Sequence, residues 1–116
     1  IKIGNLNAQR VVMDVRDVVD VYYQLMIKAI NKEMNNNELF IIGGNELYEI
    51  GWYLNKMLEL FNIKADMIID LSLYRPIDIP VQWPDSSKVR KFLNWEPQIS
   101  IEQTLKDLVN YWLERV

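Results

Sequence analysis

The residues best suited to hold a ligand lie in one proline-punctuated stretch, residues 71–84. Pro76, Pro80 and Pro84 keep helix out of it, and a loop this long in a small domain is commonly a binding segment. Arg75 sits there between Tyr74 and Pro76. A guanidinium on a stiff loop suits two-pronged recognition of a phosphate or carboxylate; an ion pair with Asp78 or Asp70 is the simpler role for its residue type. Asp78 either accepts hydrogen bonds from the hydroxyls of a sugar or caps a turn. Arg10 follows the turn at residues 4–8 and faces either an anion or an acidic neighbour such as Asp14. Trp83 is the tryptophan that falls inside the loop, where its ring can stack on a base or sugar. Trp95, beside Pro97, and Trp112, on the apolar side of the last helix, read as packing residues.

Other chemistries are closed to this composition. The 116 residues contain no cysteine and no histidine. Disulfides, thiolate metal sites and cysteine nucleophiles are excluded, as are the usual neutral-pH base and the commonest metal ligand. Thirteen Lys and Arg against sixteen Asp and Glu leave a net charge of −3, which argues against a general nucleic-acid binder. It still permits a few arginines focused on one anion. No apolar run approaches the ~20 residues that cross a bilayer. Gly43-Gly44 does not match either standard phosphate-loop spacing, and no serine lies in a nucleophile elbow. The carboxylates fall mostly on solvent faces of helices. No catalytic, cofactor-binding or metal-binding residue is therefore assigned within the chain.

The elements that must position the candidates follow from periodicity. Residues 2–6 read as a strand end and a turn at Gly4-Asn5. From Val15 to about Asn31, apolar residues at Val15, Val18, Val19, Tyr22, Met26, Ala29 and Ile30 give the three-four spacing of an amphipathic helix. Asp14 is its N-cap and Asp17 adds negative charge to its first turn. The run Asn35-Asn36-Asn37 ends it. Residues 38–42 predict a short buried strand closed by Gly43-Gly44-Asn45. Residues 49–61 predict a second amphipathic helix, although Gly51 in its first turn costs up to ~1 kcal/mol relative to alanine. Residues 66–70 predict another strand. A short helix starts at residues 85–88, a turn follows at 94–97, and Ser100 with Gln103 forms a capping box for a helix over about 101–115. Four helices and three short strands without simple alternation predict a mixed α/β, or α+β, piece.

Several of these segments, in this order, resemble one family. Gly4-Asn5-Leu6, then Arg10, then Asp14-Val15-Arg16-Asp17-Val18-Val19 are similar to the segment by which extended short-chain dehydrogenase/reductases enter their substrate domain. Tyr74-Arg75-Pro76-Ile77-Asp78-Ile79-Pro80 resembles their Arg-Pro-x-(Glu/Asp)-(Val/Ile) loop. Asp85-Ser86-Ser87-Lys88 and Leu93-Asn94-Trp95-Glu96-Pro97 resemble the Asp-x-(Ser/Thr)-Lys and Leu-Gly-Trp-x-Pro elements after it. The likeness runs over essentially the whole chain and is greatest to the branch that handles GDP-mannose. That branch comprises the 4,6-dehydratases and the 4-keto-6-deoxymannose reductases.

The resemblance implies that residues 1–116 are the C-terminal nucleotide-sugar-binding domain of a longer enzyme, with the Rossmann core absent. A start at Ile1 rather than methionine fits the same expectation. It implies that Arg10 and Arg75 grip a pyrophosphate, that Asp78 binds ribose hydroxyls, and that Asn5 belongs to the same substrate site. The implied partners are a nucleotide sugar, with a GDP-sugar favoured, and the protein's own N-terminal Rossmann domain. The implied cofactor is NAD or NADP in the full-length parent and none in this chain. The glycine motif and the Tyr-x-x-x-Lys set belong to that other domain, so this chain alone is expected to be inactive. A cytoplasmic location, with no nucleic-acid or membrane partner, goes with that reading. Two departures stand out: Val11-Val12 replaces the family's usual Asp-aromatic pair after the arginine, and Gln82-Trp83-Pro84 replaces small or apolar residues. A stand-alone interaction module that kept the fold is the alternative.

Overall fold

The computed structural model describes residues 1–35 and 37–115. Asn36, at the centre of the asparagine run, lies outside the described residues. The elements run β1 (Lys2–Ile3), β2 (Gln9–Val11), α1 (Val15–Ile30), β3 (Leu47–Glu49), α2 (Ile50–Leu60), β4 (Ile68–Ile69), β5 (Val81–Gln82), α3 (Ser87–Leu93) and α4 (Ile101–Leu113), with a 3-10 turn at Leu71–Leu73. This is the mixed α/β piece with four helices that the sequence predicts. The helix boundaries fall where the caps place them. Asp14 accepts from the Arg16 amide at 2.9 Å, and Ser100 Oγ accepts from the Gln103 amide at 3.2 Å.

The strands differ more from expectation. Residues 38–42 have no ladder partner among the described residues. Phe40 and Ile42 still turn inward against the core while Leu39 and Ile41 face outward. The segment keeps the alternation of a strand without the pairing. The pairings fall instead on β2, β3 and β5, which the sequence does not mark. β2 is the middle strand of the order β3-β2-β5. It runs antiparallel to β3, with Arg10 opposite Tyr48, and parallel to β5, with Arg10 opposite Gln82. β1 and β4 form a separate parallel pair in which Ile3 meets Ile69.

Two small cores hold the helices. Val21, Val89 and Trp95 form one, packed by Met13, Leu25, Phe40, Ile42 and Leu93, and it joins α1 to α3. Tyr53, Ile101 and Leu105 form the other, packed by Tyr48, Ile50, Trp52 and Met57, and it joins α2 to α4. Gly51 has a packing reason: its amide donates to Leu6 O at 2.9 Å, and a Cβ there would sit 3.3 Å from the Leu6 Cβ.

A row of aspartates on α1 ties the last third of the chain to this frame. Asp14 accepts from Thr104 Oγ1 at 2.9 Å. Asp17 is buried and accepts from the amides of Gln98 and Ile99 at 3.2 and 3.0 Å. Asp20 accepts from Trp95 Nε1 at 2.9 Å. Trp95 is thus a packing residue, as its type suggests. Trp112 is not: α4 buries Ile101 and Leu105 near its start, while its last turns leave Trp112 57% exposed.

The body is elongated. Its radius of gyration is 17.5 Å, against about 13 Å for a compact domain of this length. Large apolar side chains are correspondingly uncovered, including Val15, Val19, Tyr22, Met26 and Ile30 along α1 and both isoleucines of β4. No helix among the described residues is long and apolar enough to cross a membrane.

Candidate functional site

The strand pairing explains how distant candidates meet. β2 holds Arg10 in the middle of its sheet, and the phenol of the buried Tyr53 donates to Arg10 O at 2.8 Å. β5 pairs with β2 directly after Pro80, and the Gln9 amide donates to Pro80 O at 2.7 Å. The end of the proline loop is therefore laid beside Arg10. Asn5 lies between β1 and β2 on the same side. The result is a recess of about 200 Å³ bordered by Asn5, Arg10, Arg75 and Asp78, with Ala8 and Ile50 in its wall. All four of the substrate-site residues marked in the sequence line this one recess.

Their partners differ from the simplest expectations. Arg10 pairs with Asp78 and not with Asp14: its Nη2 donates to Asp78 Oδ1 at 2.7 Å, and its Nη1 donates to Gln9 O and Ile79 O, each at 2.7 Å. Asp14 is taken by Arg16. Asn5 Nδ2 donates to the other oxygen of Asp78 at 3.1 Å, and Asn5 Oδ1 accepts from the Asn7 amide at 3.0 Å. Asp70 lies 3.6 Å from Lys2 and caps the Leu71–Leu73 turn. Arg75 consequently pairs with neither Asp78 nor Asp70. It is exposed and makes no ion pair among the described residues.

The chemistry of this arrangement is recognition. A solvated guanidinium beside a carboxylate with both oxygens fixed offers a fork of donors for an anion and acceptors for hydroxyls. Among the described residues no group of three His, Cys, Asp or Glu side chains comes together to hold a metal ion. The clearest charge perturbation lies elsewhere. Two guanidinium donors of Arg16 hold the Asp14 carboxyl far below the ordinary carboxylate range, and Asp14 and Asp107 together raise Arg16. That cluster caps α1 and fixes α4.

Trp83 does not line the Arg75 recess. It is 63% exposed on the rim of a wider hollow of about 420 Å³ beside Pro84, Asp85 and Arg90. Arg90 is committed there: its donors go to Ser86 Oγ, Glu96 Oε2 and the Gly43 carbonyl at 2.9, 2.7 and 2.9 Å. Two participants escape sequence reasoning, namely Ile50 in the recess wall and Tyr53 behind Arg10. Tyr53 carries a faint signal, a polar tip on the apolar face of an amphipathic helix, where a buried hydroxyl needs a partner. Burial pushes its phenol above the usual value.

Comparison with known proteins settles the kinship. The family model described as GDP-mannose 4,6 dehydratase matches residues 1–108. The chain belongs to the GDP-mannose 4,6 dehydratase family. Human GDP-mannose 4,6 dehydratase is 20% identical over 127 aligned positions, spanning 93% of this chain and 32% of the relative. A UDP-glucuronate 4-epimerase from Thermodesulfobacterium geofontis is 49% identical over 43 residues, which is 37% of this chain and 13% of that protein. Among solved structures, RMD from Pseudomonas aeruginosa, complexed with NADPH, superposes with a TM-score of 0.87 at 17% identity. The match covers 100% of this chain and 36% of that one. The UDP-glucose 4-epimerase of Thermotoga maritima, solved with UDP-glucose, gives 0.83 at 25% identity and covers 99% and 35%. This member of the GDP-mannose 4,6 dehydratase family thus spans about a third of the length of the proteins it matches end to end. Its kin are nucleotide-sugar dehydratases and epimerases.

Proposed function

We propose that this chain is the substrate-holding portion of an NAD(P)-dependent nucleotide-sugar enzyme, a GDP-mannose 4,6-dehydratase or the related 4-keto-6-deoxymannose reductase. The observation that carries the reading is the recess itself. Asn5, Arg10, Arg75 and Asp78 come from separate parts of the sequence and line one hollow, and Arg75 points no charge at a protein partner among the described residues. In this reading the Arg75 guanidinium meets the diphosphate, and the Asp78 carboxylate accepts from the ribose diol. Holding the nucleotide this way fixes the sugar at the reacting centre, the entropic part of catalysis. The sequence carries no glycine-rich dinucleotide loop, so the cofactor is assigned to an N-terminal Rossmann domain of the same protein. That cofactor would exchange hydride with the sugar. The same domain is the natural cover for the apolar faces of α1 and β4.

Calorimetric titration of the full-length protein with GDP, UDP and GDP-mannose tests this. Binding should prefer GDP, and Arg75→Ala should weaken it by about 1.5–3 kcal/mol, the scale of a hydrogen bond to a charged group. That corresponds to roughly 10- to 150-fold. An unchanged affinity removes Arg75 from the site. Failure of a folded full-length protein to bind any of the three favours the stand-alone interaction module instead.

A further inference from the structure

Alternate carbonyls along the segment that carries Asn5 and Arg10 are held by the first turn of α2. The Gly51 amide donates to Leu6 O at 2.9 Å, the Ile50 amide to Ala8 O at 3.0 Å, and the Tyr53 phenol to Arg10 O at 2.8 Å. The first two donors are backbone amides, which any residue but proline supplies. The third, on the carbonyl of Arg10 itself, is a side chain. The same Tyr53 oxygen accepts from the Val12 amide at 3.3 Å, so one hydroxyl ties both peptides that flank Val11, directly after the arginine. We infer that Tyr53 is a positioning residue for the nucleotide site. It fixes the backbone from which the Arg10 side chain leaves β2, and thereby where the guanidinium stands in the recess. The inference rests on the nucleotide reading above.

The root of Arg10 matters because its head is far from it. The guanidinium reaches Asp78 Oδ1, Gln9 O and Ile79 O, each at 2.7 Å, and borders the recess together with Arg75. A binding constellation tolerates errors of only about 0.5 Å, and a small rotation at the Arg10 Cα grows along a side chain of this length. The ladder gives little control over that rotation. β2 has three residues and β5 has two, and so short a pairing needs support from packing. Val11 and Val12 carry no polar side-chain atom that could anchor the strand end instead. Tyr53 is built to brace it. The residue is 6% exposed and packs with Ile101 and Leu105 of α4. Its hydroxyl is therefore turned from water toward β2, where it uses its donor and one of its acceptor sites.

Titration of the full-length protein with GDP, run as a double-mutant cycle well below the melting temperature of every variant, tests this. Tyr53→Phe keeps the ring and its packing and removes the hydroxyl. It should weaken GDP about fivefold, the scale of one neutral hydrogen bond. In an Arg10→Met background the same change should cost less than about twofold, because Tyr53 acts through Arg10. Tyr48→Phe is the control. That phenol donates to Glu46 and does not line the recess, so its loss should leave GDP binding unchanged. A Tyr53→Phe protein that melts earlier but binds GDP as before would confine Tyr53 to stability and overturn the inference. So would an equal loss with and without Arg10, the mark of a general loosening of the fold, and so would a Tyr48→Phe loss as large as that of Tyr53→Phe. Should Arg10→Met not fold, the cycle runs with Arg10→Lys. A lysine ammonium cannot span Gln9 O, Ile79 O and Asp78 Oδ1 together, and the same comparison decides. If Arg75→Ala has no effect, or the unsubstituted protein does not bind GDP, the nucleotide reading itself fails and takes this inference with it.

Discussion

Asp17 offers the most direct check on how the fold is held. Its buried carboxylate faces no cation among the described residues but accepts the Gln98 and Ile99 amides. Asp17→Ala leaves both donors without a partner. A buried amide that loses its acceptor costs ~1–3 kcal/mol. Gln98 lies at an exposed position where water can replace the lost bond, whereas Ile99 is half-buried. The expected loss is therefore about 2 kcal/mol, nearly all from Ile99 and the cavity. Asp17→Asn keeps one carbonyl oxygen for Ile99 and turns an NH2 group toward Gln98, so about half the loss is expected. Urea unfolding followed by far-ultraviolet circular dichroism measures both. With a denaturant slope of about 2 kcal/mol per molar, the alanine variant should unfold about 1 M earlier and the asparagine variant about 0.5 M earlier. A shift below about 0.25 M for Asp17→Ala, the range of an ordinary surface substitution, would refute the claim that these amides anchor the turn before α4.

Other consequences are open to equally simple tests. Asp14 is held far below the unfolded carboxylate value of about 3.9, so the unfolded chain binds the extra proton. Its stabilisation is complete above about pH 5 and is lost as the pH falls through 4 and below. Thermal melts from pH 7 to pH 3 should show Asp14→Asn less stable at neutrality but with a shallower acid decline. Gly43→Ala places a Cβ 2.3 Å from the Pro84 Cγ, an overpacking worth about 1–3 kcal/mol. Adding Pro84→Ala should recover that loss, and a double variant as unstable as Gly43→Ala alone would contradict the clash. Tyr53→Phe removes the donor to Arg10 O and the acceptor for the Val12 amide, and denaturant unfolding should register about 1–2 kcal/mol.

The helices were legible because their information is local. The three-four spacing of α1, α2 and α4 and the caps Asp14 and Ser100 state where each begins without reference to the rest of the chain. β2, β3 and β5 are two or three residues long and exist only because they find one another across 36 to 72 positions of sequence, as the pairings of Val11 with Leu47 and of Gln9 with Val81 show. No periodicity can develop in so few residues. Residues 38–42 err in the opposite sense, since an apolar run closed by a glycine turn reports burial and not pairing. At the site, the residue set was readable from motifs, yet its connectivity was not. Whether Asp78 answers to Arg10 or to Arg75 depends on how β5 lands beside β2, a tertiary fact. Asp14 and Asp17 were read as a cap and a dipole charge and Asp20 was not marked, although all three hold a segment 75 to 90 residues away.

That aspartate row has a mechanical meaning. The hydrophobic drive that holds the two small cores of this molecule is non-directional, whereas hydrogen bonds fix distance and angle. Asp14, Asp17 and Asp20 lie three residues apart, so they span about 9 Å of helix axis. Their acceptors meet partners in the reverse order of the chain, Thr104, Ile99 and Trp95. The contact behaves as a key in a slot. A one-residue insertion between Trp95 and Thr104 would throw one of the three teeth out of register with the other two, whatever its effect on hydrophobicity.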